Sequence, residues 1–213
     1  MSAITLINPN STQAMTDSML ATARKVLPGV VFEGWTSVDG PPAIQGREDG
    51  ERAIPPMLDL VWKAYGFGMA VVIGCFDDTG LAEAKAKSPI PVVGIGEASF
   101  HMARLLGHRF SVVTTLPVSI PIIEENIRAG GFADICGRVR ASDIPVLELE
   151  ADPAAACAAI AREAEAARRE DDVTAIVLGC AGMTGLEAHL SGIDAHFIDP
   201  VASACRLAHA LTC

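Results

Sequence analysis

Short apolar runs alternate with longer helical patterns from one end of the chain to the other. That rhythm predicts parallel strands joined by helical crossovers. The apolar runs place strands at Ile4–Ile7, Val30–Trp35, Met69–Gly74, Pro91–Ile95, Phe110–Thr114, Cys136–Arg140, Ala175–Leu178 and His196–Ile198. Runs such as Val71-Val72-Ile73 lack polar alternation, as strands buried on both faces do. Helices fill the intervals. The clearest is predicted from Pro153 to about Arg169, with Asp152 as its cap, Pro153 in the first turn and Ala and Glu carrying it onward. Another is expected to start near Thr12 under a cap from Asn10 or Ser11. Residues 37–50 have no period and are rich in Gly and Pro. A connection of that length is either a functional cover, such as a substrate lid, or a plain solvated loop.

The pattern repeats. Val71-Val72-Ile73-Gly74-Cys75-Phe76-Asp77-Asp78-Thr79-Gly80-Leu81 aligns without a gap, 105 positions on, with Ile176-Val177-Leu178-Gly179-Cys180-Ala181-Gly182-Met183-Thr184-Gly185-Leu186. The same offset carries Val93-Gly94-Ile95 onto Ile198-Asp199-Pro200, and nearly the same offset carries Ile4–Ile7 onto Phe110–Val113. The expected fold is therefore α/β, with two pseudo-symmetric Rossmann-like halves, each built on a parallel sheet. Residues 1–100 with 196–213 form the first half and 101–195 the second, the last helix, Pro200 to Thr212, packing back on the first. A pseudo-dyad between the halves brings strand C-termini together, where α/β sheets bind ligands. The active site is expected in that cleft.

Composition narrows the function. The 213 residues carry a formal net charge of −10, which argues against nucleic acid or an anionic membrane as partner. No apolar run reaches the roughly 18–20 residues needed to cross a bilayer. Met1-Ser2-Ala3-Ile4-Thr5 has no basic segment of a signal peptide. A cytoplasmic protein with reduced thiols is expected, since the six cysteines are widely spaced and form no Cys-x-x-Cys pair.

Two of the cysteines carry the candidate chemistry. Cys75 and Cys180 each follow a buried strand and a glycine and precede a turn that opens a helix. A helix N-terminus lowers a nearby thiol pKa, so each thiol is expected to serve as a base near neutrality. The backbone N–H groups of Phe76 and Asp77, and of Ala181 and Gly182, can stabilise an oxyanion formed beside them. Two facing acid/base groups invert a carbon centre: one removes a proton from one face and the other delivers a proton to the opposite face. With a carbonyl next to that carbon, the reaction calls for no metal or organic cofactor. Its rate is expected to be bell-shaped in pH. Cys136, Cys157, Cys205 and Cys213 read as small buried hydrophobes. His101, His108, His189 and His209 read as helix-surface or helix-end residues, and His196 as the start of a strand. No His or Cys lies at zinc-ligand spacing from Cys75 or Cys180. Gly-x-Ser-x-Gly is missing, and no Gly-x-Gly-x-x-Gly follows the first strand.

The stretches Ile7-Asn8-Pro9-Asn10-Ser11-Thr12, Gly74 to Leu81, Val93-Gly94-Ile95-Gly96-Glu97-Ala98, Arg109 to Thr115, Val139-Arg140-Ala141-Ser142 and Gly179-Cys180-Ala181-Gly182-Met183 resemble the hydantoin racemases of the aspartate/glutamate racemase superfamily. The resemblance covers nearly the whole chain. It implies two α/β halves, an acid/base pair of cysteines at Cys75 and Cys180, and a 5-substituted hydantoin as small-molecule substrate. It also implies that Asn8, Pro9 and Asn10, together with Thr114 and Thr115, line the site and hold the ring's imide and carbonyls. A homo-oligomer is implied too. Where amino-acid racemases of the superfamily carry Asp-Ser at the first strand and Asn-Thr after the first cysteine, this chain has Asn-Pro and Phe-Asp. That departure points away from free aspartate or glutamate. Decarboxylases of the superfamily keep only the second cysteine, so Cys75 argues against their chemistry. Allantoin stays open as an alternative, being itself a 5-substituted hydantoin with a ureido arm. A binding module without chemistry is the reading from another class, and the two intact cysteines disfavour it.

Overall fold

The computed structural model describes residues 3–213, Glu150 by its backbone alone. Met1 and Ser2, the start of the segment read for a signal peptide, lie outside the described residues. In chain order the elements are β1 (Ala3–Asn8), α1 (Gln13–Val26), β2 (Phe32–Thr36), α2 (Arg47–Tyr65), β3 (Gly68–Ile73), α3 (Leu81–Lys87), β4 (Val92–Gly94), α4 (Ile95–Leu105), β5 (Phe110–Thr114), α5 (Ile120–Ala129), β6 (Cys136–Ala141), α6 (Glu148–Ala151), α7 (Pro153–Glu170), β7 (Ala175–Gly179), β8 (His196–Ile198) and α8 (Pro200–Ala210). Among the described residues no helix is long and apolar enough to cross a membrane.

Two four-stranded parallel sheets run β2-β1-β3-β4 and β6-β5-β7-β8. The orders coincide when β1 is replaced by β5, β2 by β6, β3 by β7 and β4 by β8, so the duplication seen in sequence recurs in topology. Each predicted strand is present, with local departures at the ends. The second begins at Phe32 rather than Val30 because the Val30 N–H closes a turn on the Leu27 carbonyl at 3.0 Å. The fourth stops at Gly94 because Glu97 reaches back to the Gly94 N–H at 3.4 Å and starts α4 at Ile95. Asp152 caps α7 as expected, its Oδ1 accepting from the Ala155 N–H at 3.0 Å. The cap of α1 differs from expectation. Thr12 occupies that position without a side-chain capping bond, its Oγ1 donating instead to the Pro42 carbonyl at 2.7 Å, and Asn10 Oδ1 accepts from the Thr12 N–H at 2.9 Å, outside the helix.

The aperiodic stretch 37–50 is not a solvated connection. Its last four residues form the first turn of α2, and Ser37, Ala43 and Ile44 are buried. The grouping of residues 196–198 with the first half also needs correction. β8 pairs with β7, because it is the repeat partner of β4 and completes the second sheet in the same way. The chain crosses only afterwards: α8 packs on α1, α4, β3 and β4. In the matching exchange α4, which follows β4, packs on β7 and β8 as well.

These crossings merge the interior. Leu6, Val72, Phe100, Phe110, Val112, Val177, Val201 and Cys205 belong to one buried cluster that spans both sheets. At its centre the Phe100 ring stacks on Phe110 with centroids 5.5 Å apart and meets the edge of Phe76 at 5.8 Å. The outer faces are covered separately, by Met57 and Val61 of α2 and by Ile160 and Ala164 of α7. Burying apolar area across the junction makes the halves stabilise each other.

Candidate active site

The C-terminal ends of the central strands β1, β3, β5 and β7 converge on a small cavity of about 30 Å³. Each cysteine reaches it by way of a glycine that packing demands. A Cβ at Gly74 would lie 2.4 Å from Met19 Sδ, and one at Gly179 would lie 2.8 Å from Val112 Cγ1 and 2.9 Å from the Val113 carbonyl oxygen. The neighbouring helix α1 at Gly74 and strand β5 at Gly179 come that close only over glycine. The following residue, Cys75 or Cys180, then lines the cavity, and both are partly exposed to it.

The surroundings of the two thiols differ. Cys75 Sγ lies 3.3 Å from Thr79 Oγ1. Burial pushes the Cys75 thiol well above its ordinary pKa and the Asp77 charge adds to this, while the Thr79 hydroxyl and the Asp77 backbone N–H act in the opposite direction. The expected lowering by a helix N-terminus is therefore reversed at Cys75. The physical reason is position: α3 starts only at Leu81, and a turn over residues 76–80 separates its N-terminus from the thiol. Cys180 instead immediately precedes a 3₁₀ turn, Ala181–Met183.

Six of the residues predicted to bind substrate line the cavity: Asn10, Phe76, Asp77, Thr114, Thr115 and Ala181. Asn8, Pro9 and Gly182 are not among the lining residues. Asn8 is buried and orients its neighbour: its Nδ2 donates to Asn10 Oδ1 at 2.9 Å and its Oδ1 accepts from the Asn10 N–H at 3.2 Å. Pro9 shapes the same turn and packs so closely on Gly40 that a Cβ there would lie 2.4 Å from its carbonyl oxygen. Gly182 sits behind the wall, where a Cβ would meet Leu149 Cδ1 at 2.8 Å. Thr114 is fixed by donating from Oγ1 to the Gly179 carbonyl at 3.1 Å.

Sequence reading did not find Met15, Ile44, Val146 or Ser119, which complete the wall. Only Ile44 had a signal, as part of the aperiodic stretch 37–50. Ile44 and Val146 come from the loops that follow β2 and β6, and those loops meet over the cleft. Gln45 Oε1 accepts from the Val146 N–H at 3.1 Å, and Met15, Ala43 and Val146 form a small apolar cluster with Cys180 packed against it.

The turn after each cysteine is tied to a crossing helix. Asp78 accepts from the Gly96 and Glu97 N–H groups of α4 at 3.0 and 2.7 Å. In the second half the carboxylate comes from the opposite partner: Asp199 at the start of α8 accepts from the Gly185 N–H at 2.9 Å and from Thr184 Oγ1 at 2.7 Å. Burial, with Glu97 beside it, holds the Asp78 carboxyl well above the usual range. Burial likewise raises Asp77 to about 6, against a lowering hydrogen bond from Ser119.

The remaining cysteines follow expectation in part. Cys205 is buried and Cys136 and Cys157 are partly buried, whereas Cys213 is exposed, because it lies beyond the end of α8 with its Sγ 3.2 Å from the His209 carbonyl oxygen.

A family model described as Asp/Glu/Hydantoin racemase matches residues 4–208. A hydantoin racemase of Rhizobium meliloti is 42% identical over 211 residues, covering 98% of this chain and 88% of that protein. Two solved structures, allantoin racemases from Klebsiella pneumoniae and Pseudomonas fluorescens, each superpose with a TM-score of 0.94. They are 34% and 36% identical, cover 99% and 98% of this chain, and are themselves covered to 87% and 90%.

Proposed function

The chain belongs to the Asp/Glu/hydantoin racemase family and is an isomerase of the racemase class, and from that premise we propose that it racemises 5-substituted hydantoins at C5 by proton transfer between Cys75 and Cys180. The observation that carries the reading is that the two cysteines, equivalent under the repeat, line one cavity. Burial and the Asp77 charge favour the neutral thiol at Cys75, so Cys75 acts as the proton donor toward one enantiomer. Cys180, as thiolate, takes the C5 proton of the enantiomer that presents it. The electron pair of the broken C–H bond moves into the adjacent carbonyl, and the N–H groups of Phe76 and Asp77, or of Ala181 and Gly182, stabilise the enolate oxygen. Cys75 then gives its proton to the opposite face. The cysteines finish with their protonation states exchanged, ready for the other enantiomer.

Asn10, Thr114 and Thr115 hold the ring's carbonyl and imide groups, with Asn8 and Pro9 setting the turn that presents Asn10. The chemistry needs only the carbonyl-activated C–H bond and the two thiols. Allantoin is the second reading, favoured by the two allantoin racemases that superpose on this chain. Free aspartate and glutamate fit less well, because among the described residues no Lys, Arg or His lines the cavity to receive a carboxylate. A cytoplasmic homo-oligomer completes the reading, and light scattering after size exclusion measures the assembly.

The test is optical rotation with an alkylhydantoin, an arylhydantoin, allantoin, aspartate and glutamate. Turnover of hydantoins is expected, and Cys75→Ser and Cys180→Ser are each expected to abolish it. Wild-type protein that leaves all five substrates at the spontaneous rate, or a single serine variant with near wild-type turnover, refutes the proposal.

A further inference from the structure

We infer, on the reading of the reaction given above, that Asp77 braced by Ser119 selects the substrate: its carboxylate accepts a ring N–H of a neutral cyclic amide and turns away molecules that carry a carboxylate. Both residues line the same cavity as the cysteines. They come from different halves, Asp77 from the turn after β3 and Ser119 from the 3₁₀ turn, Pro117–Ser119, that leads into α5. The second half grips this turn twice. Ser119 Oγ donates to Asp77 Oδ2 at 3.3 Å, and Asn126 Nδ2 of α5 donates to the Asp77 carbonyl oxygen at 2.9 Å.

That arrangement holds the carboxylate in place but leaves it under-bonded. An ionised carboxylate offers about four acceptor positions. Among the described residues Ser119 provides the one hydrogen bond it receives, and 3.3 Å is long for a hydroxyl donating to an anion. Asp77 also supplies the only formally charged side chain among the described lining residues, apart from any ionised thiol. A hydantoin brings two N–H donors and no net charge, so it can fill the vacant acceptor positions. A free amino acid, or the ureido acid made by hydrolysing the ring, brings a carboxylate into an enclosure that already holds one and lines it with no cation. Such a like-charge approach is disfavoured more strongly where water is excluded. The repeat partner of Asp77 is Gly182, so the selection belongs to one side of the pseudo-symmetric site.

Asp77→Asn, which removes the charge at nearly constant volume, tests this. Titration calorimetry compares a 5-alkylhydantoin with its ring-opened N-carbamoyl acid on wild-type protein and on the variant. In the variant the Kd for the hydantoin is expected to rise about tenfold, the loss of one charge-assisted hydrogen bond, while the Kd for the acid falls, so the preference for the ring collapses. KM for racemisation should rise more than kcat falls. Ser119→Ala keeps the charge, so it should weaken the hydantoin modestly and leave exclusion of the acid intact. If Asp77→Asn does not fold, Asp77→Ser supplies the same comparison. A preference for the ring that is unchanged in a folded variant overturns the inference. Lack of racemisation by the wild-type protein would sink the reaction instead, and the binding ratio would still judge Asp77.

Discussion

Replacing Thr79 with valine removes one hydroxyl from beside the Cys75 thiol and leaves the side-chain volume almost unchanged. Thr79 is buried, and its Oγ1 lies 3.3 Å from Cys75 Sγ. When Cys75 becomes a thiolate, that hydroxyl donates to it, and a hydrogen bond to a charged group contributes about 1.5–3 kcal/mol. At about 1.4 kcal/mol per pKa unit, its loss raises the Cys75 pKa by roughly one to two units. The sign is upward, because the bond stabilises the charged form, and it adds to the rise that burial and Asp77 already impose. At neutral pH the thiolate population at Cys75 falls about 10- to 100-fold, and kcat/KM should fall with it. Both directions should lose equally, since the equilibrium constant between enantiomers is unity. The assay is the pH dependence of Cys75 alkylation by iodoacetamide in a Cys180→Ser background, alongside the pH profile of racemisation with both cysteines present. A purely structural role for Thr79 would lower the melting temperature without moving the alkylation pKa. An alkylation pKa within about 0.3 unit of the parent protein refutes the reasoning.

Other expectations follow from the same framework. Arg140→Ala should cost about 3–5 kcal/mol in urea unfolding, because Arg140 and Asp171, with side chains 9% and 1% exposed, form a two-point ion pair at 2.8 and 2.7 Å whose rupture strands a buried carboxylate. Burial alone raises the Asp171 carboxyl, but hydrogen bonds from Arg140 and Ser111 outweigh it and hold the group below its usual range. Its stabilising contribution is therefore present above about pH 4 and lost as pH falls through the native pKa, so the gap between wild type and Arg140→Ala should narrow in acid. Phe100→Ala should lower stability by about 3–5 kcal/mol while unfolding stays a single transition, since the ring contacts Phe76 and Phe110 of opposite halves. Separate transitions in calorimetry would show instead that the halves do not share a core.

Much of the fold was legible because its signals are local or repeated. Central strands buried on both faces must read as unbroken apolar runs, and Asp152 before Pro153 announces a helix wherever it occurs. Errors collected where a single hydrogen bond decides a boundary, as Val30 to Leu27 and Glu97 to Gly94 do. Within the site, Cys75 and Cys180 stood out through the 105-residue repeat, and Asn10, Thr114 and Thr115 through family resemblance. Met15, Val146 and Ser119 carried no such mark. An apolar residue in a first helical turn or a loop looks like any other until distant segments bring it to one wall.

The two parallel sheets, their duplication and the pair of cysteines at matching strand ends are written in the order of residues, because periodicity and repetition are properties of the chain. The assembled tertiary fold set the crossing of α4 and α8 between the sheets, the meeting of the loops after β2 and β6 over the cleft, and the burial that shifts Cys75 toward the neutral thiol. A thiol's proton affinity depends on excluded water and on every charge nearby. At Cys75 those are set by the packing of both halves around the cleft, where the local turn alone had suggested the opposite shift.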